Sequence, residues 1–305
     1  MFDPIEFLKN LISRKREGKE FGHKTEGVVC RKNVAYGDGK RFYDLFAPNA
    51  RRASSLALSI PVIYLHGELF SDAQRKSREE FCARLAREGF GVVNAGFGVC
   101  EDGAASAAEA LDALTDHLVT ELSGFAADGR VIFCADGSGA WLAVDFIARA
   151  ARDPRAFRVR PAGLVAFSGL YDLSYFAERH TRKGFKPEAI RAFCGLDARK
   201  GFTREERDIL AGYDVTPRVS EDFPPVFAAY SVNDEYYPAQ GERFVKACVR
   251  NGVVLREYRA EHAFCRHNWQ LADGDAYAYA VTASAVRFMR DVASGAPVRG
   301  EYTEI

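Results

Sequence analysis

The chain has 305 residues, 48% of them hydrophobic, and its 42 Lys+Arg balance 42 Asp+Glu. A nil formal charge, with no basic stripe beyond Arg14 to Lys19, disfavours nucleic acid as a partner, because binding a polyanion draws on a cationic surface that releases counterions. No apolar run approaches the ~20 residues that cross a bilayer, so no membrane span is expected, and the charge-interrupted N-terminus lacks the apolar core and cleavage site of a secretory signal.

Seven cysteines, an odd number, read as reduced, buried thiols and make the cytoplasm the expected compartment. After Asp3-Pro4, Ile5, Leu8 and Leu11 or Ile12 recur at helical spacing, which predicts an amphipathic helix over 4–17. From Val28 the pattern turns to β: 28–34 and 41–47 form a hairpin around Gly37-Asp38-Gly39, whose residues supply the positive φ such turns require. Alternation follows, with strands at 60–66, 91–95, 130–135 and 163–167 separated by helices at 72–88, 105–124 and 138–151. Near-continuous apolar strands between amphipathic helices predict a mostly parallel sheet covered on both faces. Residues 174–222 hold no strand run and read as a helical insertion. Strands at 226–230 and 253–258 then flank a helix at 240–251, and a last helix covers about 273–293. The organisation expected is an N-terminal helix (1–25), one α/β domain (26–296) with the insertion 174–222 inside it, and a tail (297–305).

In open parallel sheets ligands bind at the carboxyl ends of the strands. Four such ends carry polar residues: Leu65-His66-Gly67-Glu68, Cys134-Ala135-Asp136-Gly137-Ser138-Gly139, Tyr230-Ser231-Val232-Asn233-Asp234, and Ala260-Glu261-His262. An Asp and then a His at two successive late strand ends form a candidate orienting carboxylate and general base, Asp234 and His262. Other chemistries are disfavoured. Gly96-Phe97-Gly98 lacks the third glycine and helix start of a dinucleotide site. His262, Cys265 and His267 lack a second ligand pair at zinc spacing, so no metal is expected.

On these motifs the chain resembles the α/β-hydrolase fold, and within it the carboxylesterase group of the hormone-sensitive-lipase-like and feruloyl-esterase-like enzymes and the kynurenine formamidases. The resemblance covers most of residues 28–294. Tyr64-Leu65-His66-Gly67, with the helix to Leu85-Ala86-Arg87-Glu88-Gly89-Phe90, is similar to the group's His-Gly-Gly oxyanion segment. Ser168-Gly169-Leu170-Tyr171-Asp172-Leu173 is similar to the run leaving its sixth strand. Thr216-Pro217 with Pro224-Pro225 resembles the return from its cap, and Asp234, Gln240 and His262-x-Phe264 stand in the order of its acid, following helix and catalytic histidine. The resemblance implies a cofactor-free site for a small ester or apolar ligand, with His66, Gly67, Glu68 and Asp136 around the oxyanion position.

Two departures bear on activity. The group's elbow reads Gly-x-Ser-x-Gly-Gly-x-Leu-Ala, and the matching Ala135-Asp136-Gly137-Ser138-Gly139-Ala140-Trp141-Leu142-Ala143 puts Gly137 at the serine's position. Glu68 replaces the second oxyanion glycine, and a carboxylate there opposes a developing negative charge. Two expectations stand: a catalytically impaired hydrolase that binds a small apolar ligand, or an ester hydrolase in which a displaced Ser138 acts with His262 and Asp234.

Overall fold

The computed structural model describes residues 27–49, 60–67, 72–98, 102–121, 128–179, 187–197 and 201–305. The helix expected at 4–17 and the side chain of Glu68 lie outside these residues. Among the described residues nine strands form one sheet in the order β1-β2-β4-β3-β5-β6-β7-β8-β9. They are β1 (Val28–Tyr36), β2 (Arg41–Pro48), β3 (Val62–Leu65), β4 (Val92–Ala95), β5 (Arg130–Asp136), β6 (Arg160–Phe167), β7 (Val226–Ser231), β8 (Leu255–Ala260) and β9 (Glu301–Glu304). Strand β2 is antiparallel to both β1 and β4, and every other pairing is parallel.

The apolar strands are buried on both faces, and their residues alternate between two cores. Ile63, Leu65, Phe133, Ala135, Leu164 and Ala166 face one layer. Val62, Tyr64, Ile132, Cys134, Val165 and Phe167 face the other. That period of two is what a pleated strand imposes, even where the sequence reads as a continuous apolar run. The first layer takes α2 (Gly103–Glu121), α3 (Ser138–Arg152) and α7 (Gln240–Arg250); the second takes α1 (Glu79–Arg87) and α8 (Ala276–Ser294).

Among the described residues three short helices, α4 (Leu173–Arg179), α5 (Pro187–Phe193) and α6 (Arg204–Ala211), occupy the interval between β6 and β7. Helix α6 opens on a capping box, in which Thr203 accepts from the Glu206 N–H and Glu206 reaches back to the Thr203 N–H, so two orphan donors are satisfied reciprocally. Glu206 also receives the buried Arg191 guanidinium at 2.5 and 3.1 Å, binding α5 to α6. Trp141 of α3 donates to the Tyr213 carbonyl at 2.6 Å and meets Phe193 edge-on, which fastens these helices over the strand ends.

The tail expected at 297–305 differs. Residues 301–304 add strand β9 in parallel to β8. Its side chains are largely exposed, so backbone pairing holds it and burial does not mark it in the sequence.

Candidate functional site

Strand β5 ends at Asp136, and α3 begins at Ser138. Gly137 makes the turn alone, with φ 50° and ψ −127°. Its N–H donates to the Phe167 carbonyl at 3.1 Å, and its carbonyl accepts from Leu170 at 2.9 Å, which ties the turn to the end of β6. Such a backbone strains any residue with a Cβ by about 1–3 kcal/mol, and glycine adopts it without that strain. Gly139 allows the next helical turn to approach β3: a Cβ there would collide with the Leu65 and His66 carbonyls. Ser138, the first residue of α3, is fully buried.

Asp136 is fully buried and gathers four segments. Its Oδ1 accepts from the Gly67 N–H at 2.9 Å, from Arg78 Nη2 at 3.2 Å and from Asn268 Nδ2 at 3.3 Å. Its Oδ2 accepts from Arg78 Nε at 2.8 Å and from the Tyr64 hydroxyl. Burial pushes this carboxyl up, but the Arg78 charge and the hydrogen bonds from Arg78 and Tyr64 outweigh it and hold Asp136 below its ordinary range. Burial raises the Tyr64 hydroxyl well above its ordinary value, and the Asp136 charge raises it further. The Cys134 thiol is likewise raised well above its usual value, first by burial, and so stays protonated.

The network also takes up an N–H of the segment expected around the oxyanion position. The Gly67 N–H donates to Asp136, and a Cβ on Gly67 would stand 2.6 Å from Asp136 Oδ1. Asp136, the last residue of β5, is a buried link between the strand ends. His66 is fully buried, stacked on Phe97 at 4.8 Å.

The largest difference concerns the histidine. Asp234 pairs with His267, Nδ1 to Oδ2 at 3.0 Å, and not with His262. The Nδ1 of His262 accepts from the Phe264 N–H at 3.4 Å, and its ring stacks on Tyr277 at 4.5 Å. The loop geometry explains the exchange. The N–H groups of Glu261 and His262 donate to the Ile305 carbonyl at 2.7 and 3.2 Å, so the start of the loop is held at the β9 edge. The chain turns through Cys265 N–H to His262 carbonyl at 2.9 Å and carries His267 back over the strand ends. There the Asn268 N–H donates to Ser168 Oγ at 3.2 Å. Asn268 and Ser168 both take positive φ, 54° and 43°.

Asp234 is well prepared for this partner. Its Oδ1 accepts the N–H groups of Tyr236 at 2.9 Å and Tyr237 at 2.8 Å, while the two tyrosine rings flank His267 at 5.1 and 4.9 Å. A cavity of about 230 Å³ opens between the ends of β6 and β7, lined by Asp234 but not by His267, with Ser168, Tyr237 and Glu242 among its other walls. Among the described residues no three His, Cys, Asp or Glu side chains gather as metal ligands. His267 entered the sequence reading only as a disfavoured metal ligand, and Arg78 and Asn268 did not enter it. The one local sign was Asn268, since Asn is among the few residues that tolerate left-handed backbone.

No protein-family model and no curated protein sequence matches the chain. Solved structures do. Esterase B from Lactobacillus rhamnosis superposes with a TM-score of 0.73 at 16% identity, covering 95% of this chain and 94% of its own. Carboxyl esterase 2 from the fungus Tuber melanosporum gives 0.67 at 18% identity, over 97% and 100% of the two chains. A bacterial heroin esterase gives 0.63 at 20% identity, over 94% and 90%. The chain therefore has the α/β-hydrolase fold, in the form that these carboxylesterases share. Among the described residues no helix is long and apolar enough to cross a membrane.

Proposed function

We propose that this protein binds a small, uncharged carboxylic ester or related acyl compound and does not carry out serine-dependent acyl transfer. The observation that carries this reading is Gly137. It alone forms the strand-to-helix turn in which a hydrolase of this fold presents its nucleophile, and it has no hydroxyl. The likeness to solved esterases supports an ester-shaped ligand, and the cavity of about 230 Å³ that Asp234 lines suits a small one. The alternative, attack by Ser138 with His262, is disfavoured by burial of Ser138 in the first turn of α3 and by engagement of the His262 ring with Tyr277.

The purified protein is treated with a fluorophosphonate probe, and adducts are mapped by mass spectrometry. No serine is expected to label in the wild type, and Gly137→Ser is expected to create a labelled site at position 137. Labelling of wild-type Ser138, with esterase activity lost in Ser138→Ala, would overturn the reading.

A further inference from the structure

On the reading of Gly137 as the nucleophile position no hydroxyl is available there for acyl transfer, yet Asp234 and His267 form an acid–base pair on a loop bonded to Asp136, the residue before the turn. Asp234 is held by two backbone N–H groups and carries His267 with its side chain only 3% exposed, against 14% for the imidazole. A carboxylate on Nδ1 fixes the proton there and leaves Nε2 as the basic nitrogen. Position matters as much as pairing. Asn268, the next residue, is bound to Ser168 at the end of β6 and to Asp136 at the end of β5. Asp136 immediately precedes Gly137, so the imidazole is anchored to the same strand ends as the vacated nucleophile position. A hydroxymethyl group is about as large as the ~30 Å³ that a water molecule occupies in the liquid. The N-terminus of the fifteen-residue helix α3 adjoins the same turn, and the positive end of its dipole favours negative charge there.

We propose that the Asp234–His267 pair hydrolyses a bound carboxylic ester by direct attack of water, with no covalent acyl-enzyme. This rests on the reading of the site as an ester-binding one. The water oxygen bonds to the carbonyl carbon as its proton passes to His267 Nε2, and the carbonyl π pair moves onto oxygen. Collapse re-forms the carbonyl and breaks the bond to the alcohol oxygen, which takes the proton from His267. The products are a carboxylic acid and an alcohol, and His267 returns to its neutral form. His267 is the catalytic residue, and Asp234 positions it. General-base assistance of this kind contributes about 10²–10⁴-fold, so turnover is slow.

The test uses the full chain and 4-nitrophenyl butyrate, with binding followed separately by NMR on the non-hydrolysable butyl 4-nitrophenyl ether. The wild type is expected to exceed buffer hydrolysis, with no burst and no acyl adduct by intact mass. Rates are expected to fall about 100-fold in His267→Ala, and to fall also in His267→Gln and Asp234→Asn, with ether binding retained. The two His267 variants guard against misfolding of one. Equal rates in wild type and both His267 variants, with ether binding intact, would overturn direct hydrolysis and leave the ester-binding reading standing. Absence of both binding and turnover would overturn both readings. A burst with an acyl adduct on Ser138 or on Ser168, which follows Phe167 on the strand neighbouring Asp136, would also overturn both.

Discussion

The carboxamide of Asn268 donates to Asp136 Oδ1 across 3.3 Å, joining the loop that carries His267 to the last residue of β5. Asn268 holds a left-handed backbone, φ 54° and ψ 34°. Asn268→Gly keeps that backbone and loses the side-chain bond, at about 1–2 kcal/mol. Asn268→Ala adds left-handed strain of about 1 kcal/mol or more. The alanine variant is therefore expected to be the less stable of the two by urea unfolding, the reverse of the usual order inside regular structure.

The Arg78–Asp136 pair is buried, with side-chain exposures of 5% and 0%. Removing one member of such a pair leaves an uncompensated charge and destabilises by about 3–5 kcal/mol. Arg78→Ala is expected to show a loss of that size in guanidinium unfolding. A loss under about 1 kcal/mol, the range of exposed pairs, would contradict the assignment.

Two carboxyls shape the acid limb of stability in opposite directions. Asp136 has its folded pKa lowered from 3.8, so its contribution is present above 3.8 and is lost as pH falls through the folded value. Asp214 is raised from 3.8, first by burial and then by the nearby Asp172 charge, against the bonds it accepts from Ser174. Its contribution is full below 3.8 and is lost as pH rises through the folded value. The stability gap between wild type and Asp136→Asn is expected to shrink on acidification below pH 3.8, and the gap for Asp214→Asn to shrink as pH rises above it. Urea midpoints across an acid pH series measure both.

Gly139 packs so closely on β3 that a Cβ meets the Leu65 and His66 backbone, not a flexible side chain. Gly139→Ala must move α3 or β3, and a loss of about 3 kcal/mol, the upper end for overpacking, is expected. Gly252, with open space where its Cβ would go but a φ of 70°, serves as a contrast. Alanine there pays only backbone strain of about 1–2 kcal/mol. Thermal unfolding of the two variants separates crowding from strain.

The parallel sheet was legible because its strands are apolar, short and bounded by turn residues, and the structure places β3 to β8 where that pattern puts them. Strand β9 was not, because Glu301-Tyr302-Thr303-Glu304 is a polar edge whose pairing is made by backbone. That omission propagated to the site. Choosing between His262 and His267 depends on the Ile305 carbonyl holding the start of the loop, a contact that no local pattern encodes. Asp234 was legible as a carboxylate at a strand end. The balance of Asp136 by Arg78 was not, since the two stand 58 positions apart and each alone reads as an ordinary charge.

The bonds at Asp136 span 58, 69, 72 and 132 positions. Closing loops of that length comes before any return from the contacts they permit, and folding rates fall as such contacts dominate. The cluster under the elbow thus requires strands from both halves of the chain to be side by side. A spectroscopic probe placed near Asn268 would therefore report on contacts that join both halves of the chain and not on any local element.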